Sequence, residues 1–236
     1  MLQRQSAGPA GGTWPADDPD EIPTQVIRQA YARWSPALCL VMFSQELTDP
    51  RSGETRRREG TALGLLVRSD GLVITHGHLQ TDTSRITDAR VRVDAGETRS
   101  ELPAAVLGKP DDLNLLFVQI QAPEGTVFPT FSDVPLHLGD PVLVLGRMSE
   151  SLDYAPGVTL DYIASVVETP RTAYCLGGGL KMGFLTGPVL NARGEVVGVT
   201  GLELSEEEGG GLYSRGGVPM VFQTALLARA ISSPPR

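Results

Sequence analysis

Three short stretches of this 236-residue chain carry residues whose types could do chemistry together. The apolar Leu72-Val73-Ile74-Thr75 leads into His76-Gly77-His78-Leu79, and Asp111 and Asp112 stand before Leu113-Asn114-Leu115-Leu116. The third, Gly183-Phe184-Leu185-Thr186-Gly187-Pro188-Val189-Leu190-Asn191, precedes the strand-like Gly194-Glu195-Val196-Val197-Gly198-Val199. A histidine can take a proton, a carboxylate can hold its ring in one tautomer, and backbone N–H groups can stabilise an oxyanion. Acyl transfer also needs a nucleophile, and the only hydroxyl in the third stretch is that of Thr186. Histidines at i, i+2 could instead hold a metal, but such a site needs further ligands. His137 belongs to the other half of the chain, so neither metal nor cofactor is expected.

The elements that must position these residues read as strands. Ala37–Ser44, Thr61–Arg68, Leu72–Thr75, Ala89–Val93, Ala104–Leu107 and Leu115–Ile120 are apolar or alternating, and Ser69-Asp70-Gly71 carries a hairpin signal. The polar Gln45–Glu59, with Arg56-Arg57-Arg58 between acidic neighbours, reads as a long solvated hairpin loop. A Pro/Gly-rich connector, about Ala122 to Pro135, leads to Val142–Leu145, Val158–Val167, Val189–Asn191, Val196–Leu202 and Gly211–Phe222. Gly177–Gly179, Gly209–Gly211 and the acidic Glu206–Glu208 mark loops. Helical spacing is confined to Ile22, Val26, Ile27, Tyr31 and Trp34 near one end and Leu226, Leu227 and Ala230 near the other.

Composition agrees. Gly 27 and Pro 18 make about a fifth of the chain, which favours short strands and turns over a bundle. The net charge of −8 argues against nucleic acid, and no apolar run is long enough to span a membrane. Met1–Thr13 lacks the apolar stretch of a secretory signal, so the cytoplasm is expected unless an export signal was removed. Cys39, in Ala37–Phe43, is expected to be a buried free thiol.

Taken together, the motifs resemble the HtrA (Deg) type of trypsin-like serine protease, whose corresponding runs read Val-Val-Thr-Asn-Asn-His-Val, Asp-Leu-Ala-Leu-Leu and Gly-Asn-Ser-Gly-Gly-Pro-Leu. The resemblance implies an all-β chain of two six-stranded antiparallel barrels with short terminal helices. Residues 1–19 are expected as a tail, 20–128 as the N-terminal helix and first barrel, and 129–236 as the second barrel and C-terminal helix. The family commonly adds a PDZ domain, for which no length remains after Ile231.

By the same resemblance His78 is the base, Asp112 the orienting carboxylate with Asp111 as its neighbour, and Gly183 the oxyanion-hole glycine. Leu185 falls on the nucleophilic serine, and Thr186 is the one substitute at hand. Leucine has no proton to transfer, so the expected function is a pseudoprotease that binds an extended peptide or partner protein, such as an active protease paralogue. The alternatives are an active peptidase with an atypical nucleophile and a structural assembly module, a homo-oligomer included. His78 and Asp112 could also persist as a buried pair that ties the barrels together.

Overall fold

The computed structural model describes residues 22–95, 98–110, 113–168, 172–179, 182–203 and 218–235. The expected tail 1–19, Asp111 and Asp112, the loops at Glu206–Glu208 and Gly209–Gly211, and the start of the Gly211–Phe222 strand lie outside them.

The first seven strands are β1 (Leu38–Thr48), β2 (Thr55–Leu66), β3 (Leu72–His76), β4 (Ser84–Ala95), β5 (Thr98–Pro103), β6 (Ala105–Gly108) and β7 (Leu115–Gln119). They form one antiparallel sheet in the order β5-β4-β1-β2-β3-β7-β6. Its two edge strands are consecutive in the chain, separated only by Ala104, whose N–H donates to the Ala89 carbonyl on β4 at 3.0 Å. The sheet therefore curls until one bent run, 98–108, serves both edges, and that is how this half approaches the expected six-stranded barrel.

The second half is a closed barrel of β8 (Pro141–Arg147), β9 (Pro156–Val167), β10 (Ala173–Leu176), β11 (Pro188–Leu190), β12 (Val196–Glu203) and β13 (Val218–Gln223), ordered β10-β13-β12-β11-β8-β9. The helices α1 (Thr24–Trp34) and α2 (Thr224–Ser232) flank the strands as expected. Helix α1 buries Ala30 and Trp34 and lies against β8 and β9 of the second half, with the Tyr31 hydroxyl 3.5 Å from the Pro156 carbonyl.

The strands between the two halves are buried on both faces, which explains their unbroken apolar runs. Successive side chains point to opposite faces. Leu115 and Phe117 of β7 meet Leu143 and Leu145 of β8 in a shared central core, with Trp34 and Leu227 from the helices. Leu116 and Val118 fill the first sheet's interior with Cys39 and Val91, whereas Val142 and Val144 fill the barrel with Phe184 and Val189.

Two expectations are corrected. Gln45–Glu59 is mostly ladder rather than loop: Gln45 pairs with Arg58, Glu46 with Arg57 and Leu47 with Arg56, leaving a tip at 49–54. Backbone pairing needs no apolar side chain, and the buried Gln45 is satisfied by the Arg58 Nε donor at 2.9 Å. The strands β5 and β10 are additional, one polar and mostly exposed, the other only four residues long. Elsewhere the expected Asp-Gly turn forms, with Gly71 at φ +92 and its N–H on the Arg68 carbonyl at 3.1 Å. Cys39 is buried and unpaired, as expected, and burial pushes its thiol up to about 12.

Candidate functional site

His76 is the last residue of β3, and the chain then makes one 3-10 turn, Gly77–Leu79, which carries His78. The turn docks on the residue before β7, with the Gly77 N–H donating to the Asn114 carbonyl at 2.8 Å. A Cβ on Gly77 would stand 2.5 Å from Asn114 Oδ1 and 2.7 Å from its carbonyl carbon, so the docking needs glycine. It also sets His78 beside the Asn114 amide, whose Nδ2 lies 3.1 Å from Nδ1 and 2.8 Å from Nε2 of the ring.

The same Nδ2 donates to the Leu202 carbonyl on β12 at 3.1 Å. That carbonyl can only accept, which fixes the orientation of the amide. Burial and then the Lys109 charge lower the His78 pKa, while a hydrogen bond to Leu202 partly opposes them. His78 is thus a half-buried imidazole whose charged form is disfavoured, set where the first sheet meets the second. Asp112, expected as its orienting carboxylate, lies outside the described residues, as does Asp111.

The third stretch makes a 3-10 turn, Met182–Phe184, and continues through Leu185, Thr186 and Gly187 into β11. The turn lies directly on β8: a Cβ on Gly183 would be 2.0 Å from the Arg147 carbonyl oxygen, and one on Gly187 would be 1.9 Å from that of Leu145. Thr200 of β12 holds it from the other side. The Thr200 hydroxyl donates to the Phe184 carbonyl at 2.5 Å and accepts the Gly187 N–H at 3.0 Å, and its own carbonyl takes the Thr186 N–H at 3.0 Å.

The side chains of Phe184, Leu185 and Thr186 all point into protein. Phe184 enters the barrel core, Leu185 is 1% exposed, and Thr186 is fully buried. Thr186 stands at φ 71, a left-handed backbone that favours glycine, and its hydroxyl has no partner among the described residues. A hydroxyl so enclosed is not presented to a substrate, which weighs against Thr186 as a substitute nucleophile.

Gly183 and Phe184 border a cavity of about 480 Å³ that also takes in His76 and Arg147. The His76 ring is 5.9 Å from that of His78, and burial, then the neighbouring His78, lowers its pKa to about 4. The structure therefore joins His76 with Gly183 in one space and pairs His78 with Asn114. Sequence reasoning missed Asn114 and Arg147. Asn114 stands inside the Asp112–Leu116 motif, where a polar side chain interrupts an apolar run, and Arg147 is the lone charge closing the apolar β8.

A family model described as a trypsin-like peptidase domain matches residues 62–199. Two curated relatives are probable periplasmic serine endoproteases, DegP-like, from Pseudomonas putida strains GB-1 and F1. The first is 25% identical over 164 residues and the second 26% over 167 residues, each match covering 66% of this chain and 32% of the relative. The chain thus spans about a third of the length of these relatives. Among solved structures, a variant of the HtrA-type protease AlgW with a decapeptide superposes with a TM-score of 0.66 at 15% identity, over 87% of this chain and 65% of that one. The serine endoprotease from Yersinia pestis gives 0.61 at 20% identity, over 90% and 67%. The cytoplasmic location expected from Met1–Thr13 is corrected by the curated relatives, whose names place them in the periplasm and point to export.

Proposed function

The chain belongs to the trypsin-like peptidase domain family and has an HtrA-type trypsin fold, and from that premise we propose that it is a non-catalytic member that binds extended peptides or partner proteins. The observation that carries this reading is the burial of Leu185 and Thr186 in the turn after Gly183. In the family register Leu185 takes the place of the nucleophilic serine, and loss of that serine costs about a millionfold in turnover. The Asn114 contact at His78 supports the same reading: the amide nitrogen crowds both nitrogens of a ring that a base would need free.

Peptide binding is supported by the solved AlgW structures with a decapeptide and with a tripeptide. A cleft that holds an extended chain as an added strand keeps that ability when catalysis is lost. An active protease paralogue is one protein such a module would regulate.

The test compares cleavage of a fluorescently labelled unfolded protein by the wild-type chain and by Leu185→Ser, alongside binding of a peptide library to wild type. Wild type is expected to bind peptides and leave the substrate intact. Activity in Leu185→Ser would add that Gly183 and His78 remain poised. Cleavage by wild type that His78→Ala abolishes would overturn the reading, as would a wild type that binds no peptide.

A further inference from the structure

We infer that the cavity between β2, β8 and the 182–184 turn is a carboxylate-binding site for a ligand with one carboxylate on an apolar body. The inference stands on the charge balance of Arg147 in the cavity wall and of Arg92 and Asp94 behind it, and goes beyond the reading above.

Arg147 lines the cavity and is only 2% exposed. Its Nη1 donates to Asp94 Oδ2 at 2.6 Å and to the Tyr154 carbonyl at 3.1 Å, and its Nη2 to the Leu38 carbonyl at 2.6 Å. Asp94 is shared, because Arg92 Nε lies 3.4 Å from its other oxygen. The Arg92 guanidinium also sits 5.4 Å from the centre of the Tyr154 ring, itself part of the cavity wall. Arg99 and Asp153 nearby pair at 2.5 Å and cancel each other. Two guanidiniums thus face one carboxylate, and the group carries one positive charge in excess.

The donors are in excess as well. Arg147 Nε, Arg92 Nε and Arg92 Nη2 are buried without a hydrogen-bond partner among the described residues, against one such acceptor in the group, Asp94 Oδ1, and His76 Nδ1 is without a partner too. Unpaired charge and unpaired donors in such a place are costly, so the site gains from an acceptor that brings one negative charge. A cation would be repelled and a dianion would overshoot. His76 is neutral in this surrounding, so it can donate without adding charge.

The remaining wall fits the body of the ligand. Leu40, Ala62, Leu63 and Phe184 are apolar, and a volume of about 480 Å³ suits a small molecule or a peptide's last residue. A free peptide C-terminus and a small aliphatic acid offer the same chemistry.

Calorimetric titration of the full chain separates the possibilities. The probes are 4-methylpentanoate against 4-methylpentanamide, and a short peptide ending in leucine with a free carboxylate against the same peptide amidated. Each acid is expected to bind roughly 10- to 100-fold more tightly than its amide, the range for a charge-assisted hydrogen bond. Thr61→Trp, a change at an exposed rim position, is expected to abolish binding, and Arg92→Gln to bring acid and amide toward parity. Binding by the peptide acid alone would identify a chain terminus as the ligand, and binding by both acids would admit a free metabolite. Equal affinity for acid and amide, binding unaffected by Thr61→Trp, or no binding by any probe would overturn the inference. Peptides bound without preference for the free carboxylate would do so while leaving the peptide-binding function standing.

Discussion

Arg147, the last residue of β8 in the closed barrel, reaches across to Asp94 on β4 of the first sheet at 2.6 Å. The same guanidinium takes the Leu38 carbonyl at the start of β1, so one side chain fastens the two halves at two points. Removing one member of a buried, hydrogen-bonded pair leaves the other without compensation. Arg147→Met is therefore expected to cost about 3 kcal/mol, read as a lower urea midpoint with an unchanged slope. A loss below about 1 kcal/mol, the value of a surface pair, would show that Arg92 alone suffices for Asp94.

Thr186 gives a prediction of opposite sign. A β-branched residue at φ 71 is strained, and its buried hydroxyl has no partner among the described residues. Glycine removes both penalties and gives up about one buried methyl. Thr186→Gly is expected to stabilise the fold by about 1 kcal/mol, seen as a higher melting temperature. A destabilised variant would mean that the threonine side chain contributes packing that outweighs the strain.

His76 sets the acid limb of the stability profile. Its pKa is about 4 in the fold against 6.5 as the ordinary value, because burial penalises the charged ring. Between these two values the unfolded chain holds a proton that the folded chain does not. The His76 contribution is thus complete above about pH 6.5 and is lost as the pH falls toward 4. His78 is shifted in the same direction and adds to the loss. Unfolding at pH 7.5 and pH 5 is expected to differ by about 2 kcal/mol through His76, and His76→Asn should flatten that difference. Equal differences in the two proteins would sink the assignment.

What was legible in the chain, and what was not, divides along sequence separation. Leu115–Val118 and Val142–Leu145 declare themselves as strands because burial on both faces leaves no polar position. The helix α1 shows in the spacing of Val26, Ile27, Tyr31 and Trp34. The polar half of the β1–β2 hairpin does not show, since a ladder there depends on Arg58 finding Gln45 and not on either residue's preference. In the site, His78 and the Gly183–Asn191 stretch stand out as motifs. The role of Arg147 does not: its acceptors lie 7, 53 and 109 positions away, and no local pattern encodes them.

The bent run 98–108 has a consequence for how copies of this chain meet. Because it is both the first and the last strand of its sheet, lifting it away exposes the outer backbone groups of β4 and β7 at the same time. Unpaired strand edges recruit whatever extended chain is nearest, and in a concentrated sample that is the same run from a neighbouring molecule. A sheet opened at this seam would be closed again by the 98–108 run of a second copy, so the seam is where strand exchange would occur.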